Sequence, residues 1–244
     1  MNKPDFRVFP SPAAIADAVA AYLAERLTAQ PATRLGLATG NTFVPIYARL
    51  VARYRAGGFS FARAASFNLD EYVGLPAGHP ASFRAYMQTH LFDHVDLPAG
   101  KGALPGVEGD IEAACQAYEA AIGSEGGIDL QMLGIGRNGH IGFNEPGSPF
   151  DSRTRQVDLA PSTREANKGD FPAGEVVPPT AVTMGIGTIL EAREIVLVAI
   201  GAAKAEALDR AFRQEASPDC PASALQSHGR VIIFCDSEAA GALA

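Results

Sequence analysis

Five short apolar runs, each no longer than a β-strand, alternate with stretches of helical periodicity along this 244-residue chain. They are 34–39, 64–69, 128–135, 194–200 and 230–235. Between them, the apolar residues of 81–94, 111–122 and 202–212 fall three and four apart, as on one face of a helix. Ser11-Pro12 supplies a cap and a first-turn proline for a helix carrying Ile15, Val19, Tyr22, Leu23 and Leu27. Another helix is expected from near Pro45 to the Gly57-Gly58 stop. Alternation of this kind predicts an α/β fold, a Rossmann-like three-layer sandwich with a mostly parallel central sheet. One domain over 1–244 is expected, because a chain of this size buries roughly 70% of its unfolded surface in a single core. Ligands of such sheets sit beyond the carboxyl ends of the strands. The polar clusters of this sequence fall there, after four of the runs.

The first cluster is Gly36-Leu-Ala-Thr39-Gly40-Asn41-Thr42. A strand running through a glycine turn into a helix presents free N–H groups and a positive dipole end, which suit phosphate. The Gly-Lys-Ser/Thr ending of a Walker loop is absent, and an ordinary tight turn is the plainer alternative. In the second, Asp70 and Glu71 follow a strand directly, so either carboxylate can serve as a buried general base. A solvated acidic turn is the commoner arrangement.

The third cluster, 134–149, holds five glycines and two prolines. It opens as GxGxxG, but a dinucleotide site needs a long helix next, and Gly142, Pro146, Gly147 and Pro149 forbid one. What remains is a loop with Asn138, His140, Asn144 and Glu145. His140 is flanked by little bulk and suits proton transfer, with Glu145 placed to orient it. In the fourth, Lys204 stands at the expected start of a helix, where a cation is disfavoured unless an anion lies between. His90 and His94 are one turn apart without a metal motif, and read as surface or packing residues.

These segments together resemble the glucosamine-6-phosphate deaminase (glucosamine-6-phosphate isomerase) family. The resemblance lies in LGLATGNT, SFNLDEYVGL with HPASF and LFDHVDL, GIDLQMLGIGRNGHIGFNEPGSPFDSRTR, and VPPTAVTMGIGTILEAREIVLVAIGAAKAEAL. It implies conversion of glucosamine 6-phosphate and water to fructose 6-phosphate and ammonia, an isomerising deamination also classed with hydrolases. It implies that Asp70 moves the proton from C2 to C1, and that His140, with Glu145 and Asn138, handles ring opening. Thr39, Gly40, Asn41, Thr42 and Lys204 would hold the phosphate. The resemblance calls for no metal and no cofactor.

Three positions depart from the family pattern. Asn138 stands where many members carry Asp. Lys168-Gly169 stands where a phosphate-binding Arg is expected, so Lys168 is the expected substitute. Arg155 is present, but Val157 replaces the second cation of the effector pocket of regulated members, and the chain ends at Ala244 without their tail. A short, unregulated branch is implied.

The relatives to exclude are 6-phosphogluconolactonase, against which DEYVGL and FNEPG argue, and a non-catalytic sugar-phosphate sensor. Net charge is −7 with no basic block, which argues against nucleic acid and anionic membranes as partners. No apolar signal core occurs in 1–12, and Cys115, Cys220 and Cys235 form no CxxC pair. A cytoplasmic protein with reduced thiols is expected, and a homo-oligomer is allowed.

Overall fold

A computed structural model describes residues 4–241; Met1–Lys3 and the carboxyl end at Ala244 lie outside them. Strand β1, Asp5–Phe9, leads to helix α1, Pro12–Ala29. Ser11 Oγ accepts from Ala14 N at 3.2 Å, and Ile15, Val19, Leu23 and Leu27 are buried, as the spacing predicts. Strand β2, Arg34–Leu37, runs into helix α2, Val44–Ala56, closed by Gly57. Strand β3, Ala65–Asn68, continues almost without a break into β4, Asp70–Tyr72. Helix α3, Phe83–His90, ends in the 3-10 turn Phe92–His94, so the stretch expected as one helix is two pieces.

The short strand β5, Gly102–Ala103, and helix α4, Ile111–Ser124, precede β6, Leu130–Gly134. After the glycine loop come β7, Arg155–Asp158, α5, Pro161–Asn167, and β8, Thr180–Thr183. The chain closes with α6, Ile186–Leu190, β9, Ile195–Ala199, α7, Ala205–Arg213, β10, Val231–Asp236, and α8, Ser237–Ala240.

Seven strands make one sheet in the order β1-β10-β9-β6-β2-β3-β5, and every pair in it is parallel. All five residues of β9 are buried, as a central parallel strand covered on both faces requires. The expected α/β sandwich is therefore the fold.

A second sheet escaped the sequence reading. Strands β4, β8 and β7 form a small antiparallel sheet in that order. The chain leaves the main sheet at Leu69, whose N–H still bonds Leu37 O at 3.1 Å and whose carbonyl accepts from Met184 N at 2.7 Å. Asp70, the next residue, stands opposite Thr183. Beneath this sheet Tyr72, Phe83, Phe143 and Phe171 pack ring on ring, apart from the main core. Asp70 thus sits on the seam between two sheets, where neither can shift without the other.

Candidate active site

Beyond the carboxyl ends of β2, β3, β6 and β9 lies a cavity of about 780 Å³. Thr39, Gly40 and Thr42 form one wall. Gly40 has φ 101°, which permits the tight turn, and its carbonyl accepts from Phe43 N and from the Tyr86 hydroxyl, both at 2.9 Å. The Gly40 carbonyl is thereby used up. Among the described residues no acceptor answers the N–H groups of Gly40, Asn41 or Thr42. The Asn41 side chain points out to solvent and does not line the cavity.

The two carboxylates at the end of β3 have separate tasks. Asp70 faces the cavity, and burial, reinforced by the neighbouring charge of Glu71, pushes its carboxyl up to about 8. Glu71 turns the other way. Its oxygens accept from the backbone N–H groups of Tyr72, Phe83 and Arg84, each at 2.9 Å, and so cap α3 together with Ser82. Burial raises Glu71 as well, with those backbone bonds opposing it. The residues alone left both carboxylates open as bases and the resemblance named Asp70; only Asp70 reaches the cavity.

The glycine loop brings its polar groups against Asp70. Gly142, at φ 55°, passes so near that a Cβ there would lie 3.4 Å from Asp70 Oδ2 and 3.1 Å from Thr183 Oγ1. His140 folds back over Gly136, where a Cβ would meet the imidazole at 2.4 Å. The ring lines the cavity with its Nδ1 buried, 3.5 Å from Glu145 Oε2. Glu145 stands just behind the cavity wall. Its Oε2 accepts from Asn138 Nδ2 at 2.7 Å, and its Oε1 from the Thr163 hydroxyl of α5. Burial works against the Glu145 charge, but the donors around it, His140 first, overcome that and take the carboxyl to about 2. Asn138 Oδ1 in turn accepts from the His140 backbone N–H at 3.2 Å.

Asn144 pins this loop to the second sheet. Its fully buried amide donates to Ile141 O and Met184 O, both at 2.9 Å, and its oxygen accepts from Arg155 Nη1 at 2.9 Å. Arg155 also reaches Ser148 Oγ at 3.2 Å. Arg155 is half-buried and holds the loop through neutral groups.

Two expected cations part company. Lys204 lines the cavity, half-buried, and burial followed by the charge of Arg137 lowers its ammonium below the usual value. It closes a 3-10 turn, Ala202–Lys204, and α7 begins one residue later, so the helix expected from 202 starts at Ala205. Lys168 does not line the cavity. It is exposed and lies 3.7 Å from Glu165 on its own segment. Position 168 follows α5 directly, and in the turn there Asp170, itself exposed, lines the cavity instead.

Arg137, Thr163, Asn167 and Asp170 also line the cavity, and none was singled out from the sequence. Arg137 lay in plain view inside the glycine loop. The others belong to α5 and its following turn, too short to show a helical period.

His90 packs at a tilt on Tyr86 with ring centroids 4.5 Å apart, and His94 Nε2 bonds Thr89 O at 2.9 Å. Among the described residues no group of three or more His, Cys, Asp or Glu is arranged to hold a metal, and no helix is long and apolar enough to cross a membrane.

Sheet, seam and cavity define an α/β enzyme whose acid–base groups sit beside uncompensated cations and free N–H groups. Residues 10–233 match the model of the family described as glucosamine-6-phosphate isomerases/6-phosphogluconolactonase, and the chain belongs to that family. A glucosamine-6-phosphate deaminase of Shouchella clausii is 51% identical over 91% of this chain and 90% of its own. One of Rhodopirellula baltica is 48% identical over 100% and 97%. The solved structure of a monomeric glucosamine-6-phosphate deaminase superposes with a TM-score of 0.93 at 40% identity, covering 97% of this chain and 98% of that one. A 6-phosphogluconolactonase of Trypanosoma brucei, at 21% identity and TM-score 0.79, shares the fold.

Proposed function

We propose that the chain is a glucosamine-6-phosphate deaminase, converting glucosamine 6-phosphate and water to fructose 6-phosphate and ammonia by isomerisation with deamination. The observation that carries this reading is the cavity itself. It holds one carboxyl raised to about 8 at Asp70 and a His140 backed by the low-lying Glu145 carboxylate. A base whose pKa lies near the working pH is matched to moving a carbon-bound proton. Asp70 removes the C2 proton of the opened sugar and returns it at C1. His140 transfers the proton of ring opening, with Asn138 and Glu145 fixing its loop. Lys204 and the N–H groups of 40–42 receive the phosphate.

The near-full-length likeness to relatives named as deaminases supports this substrate over a lactone. A cytoplasmic location accords with the family, and the solved relative is described as monomeric. With Arg155 engaged by Asn144 and Ser148, and Val157 unable to bind phosphate, the effector pocket of regulated members is incomplete. Rate curves are therefore expected to be hyperbolic, and unaffected by N-acetylglucosamine 6-phosphate.

The test is a panel of hexose and hexosamine 6-phosphates with the purified chain, following ammonia and ketose together. Equal ammonia and fructose 6-phosphate from glucosamine 6-phosphate is the expected result. Lactone hydrolysis without ammonia would overturn the assignment.

A further inference from the structure

We propose that Arg137 is a phosphate-binding residue of this site, holding the 6-phosphate together with Lys204. The proposal deepens the reading above and rests on it. Arg137 follows β6 and Lys204 follows β9, and these strands are hydrogen-bonded neighbours in the sheet. Both side chains line the same cavity. Among the described residues neither makes an ion pair with a carboxylate. They also act on each other, since the charge of Arg137 is one of the two causes that lower Lys204. Two like charges directed into one cleft, one of them half-buried, repel unless an anion joins them.

The rest of the cavity sharpens the point. The α5 side was expected to supply a cation through Lys168, yet Lys168 is exposed and tied to Glu165. What that side sends into the cavity is Asp170, a negative charge. The arginine and lysine side chains on the cavity wall are Arg137 and Lys204. A phosphate dianion met by Lys204 alone would keep a net charge in a half-buried place. A guanidinium adds two parallel N–H donors that fit phosphate oxygens, which a lysine does not. Arg137 is itself exposed, so replacing it leaves the core intact.

The test is calorimetric titration of the whole chain with glucitol 6-phosphate, an unreactive open-chain hexitol phosphate, and with plain glucitol. Arg137→Gln should weaken the phosphate ester roughly tenfold to a hundredfold, the loss of one charged hydrogen-bonded contact, and leave glucitol unchanged. Arg137→Lys should fall between, keeping the charge without the fork. In turnover assays KM should rise far more than kcat falls, because phosphate is held alike before and during the reaction. Lys168→Ala, which removes a charge outside the cavity, should leave the affinity within about twofold. The competing role for Arg137 is an ion pair with Asp170. In that case Arg137→Gln and Asp170→Asn would weaken glucitol and its phosphate equally, and the proposal would fall. It would fall also if Arg137→Gln bound the ester as the parent does. Arg137-dependent binding of the ester without ammonia release from glucosamine 6-phosphate would sink the deaminase reading and leave this one standing.

Discussion

Asp70 is buried and Glu145 half-buried beside the same cavity, yet the first carboxyl is driven up to about 8 and the second down to about 2. Burial opposes the charge in both. Asp70 is the more deeply buried of the two, and they differ also in what surrounds the oxygens. At Asp70 no charged or hydrogen-bonding donor offsets burial, and the nearby Glu71 adds repulsion. At Glu145, His140, Thr163 and Asn138 all favour the anion. Two sites a few residues' reach apart thus hold a carboxyl poised to take a proton and a carboxylate that keeps its charge. The seam between the sheets makes the first dry, and the glycine loop folds donors around the second.

The largest effect should follow from removing the first. Asp70→Asn keeps the shape but cannot accept the C2 proton, so turnover should fall about 10²–10⁴-fold with substrate affinity little changed. For the parent chain, kcat/KM should rise with pH and level off above about 8, as Asp70 ionises. Exchange of the C2 proton with solvent deuterium measures the step directly. Near-parental exchange in Asp70→Asn would give the proton to another group and dissolve the contrast.

How much of this was visible in the sequence differs between the two carboxyls. The strands that carry the cavity announce themselves: β9 is an unbroken apolar run, and Ser11-Pro12 marks α1 because cap chemistry is local. The loop's polar residues could be grouped because glycines and prolines forbid a helix there. The seam could not be read. It is built from strands of three and four residues that pair Asp70 with Thr183, and no period shows in so short a stretch. For that reason the residues alone did not part Asp70 from Glu71, and only the family resemblance picked Asp70, though one faces the cavity and the other caps α3. Arg137, though in plain view in the glycine loop, and Asp170 could not be placed at the cavity for a related reason, since which way a loop or turn residue faces is decided by distant packing.

The same contrast should appear in stability, with opposite signs. Asp70 has its native pKa raised, so its stabilising effect is full below the unfolded value near 4 and is lost as pH rises towards 8. Glu145 has its native pKa depressed, so its contribution is present above about 4.5 and is lost as pH falls towards 2. At pH 8, Asp70→Asn should therefore melt higher than the parent by several degrees, the two converging near pH 4. Glu145→Gln should melt lower at pH 7, by roughly 2–8 °C for the loss of about 1–2 kcal/mol of charged hydrogen bonding. Thermal melts across pH 3–9 decide it, and a loss of stability in Asp70→Asn at pH 8 would refute the cost assigned to the buried Asp70 charge.

The smallest effect should come from making the second site resemble the first. Asn138 donates to Glu145 Oε2 at 2.7 Å and accepts from the His140 backbone, so it bonds both sides of the loop at no cost in charge. Asn138→Asp replaces that donor with a carboxyl oxygen against an existing carboxylate. Two carboxylates at hydrogen-bond distance cannot both ionise freely, and one is pushed up until they share a proton. The shared proton restores the bond that the amide made, so the loop should keep its place. Activity at neutral pH should stay within about tenfold of the parent, far less than the loss at Asp70. The difference should show in the pH profile of kcat/KM, which should gain one further ionisation that the parent lacks. An unchanged profile would mean that residue 138 and Glu145 separate in solution, and that the donors around Glu145 are fewer than the structure shows.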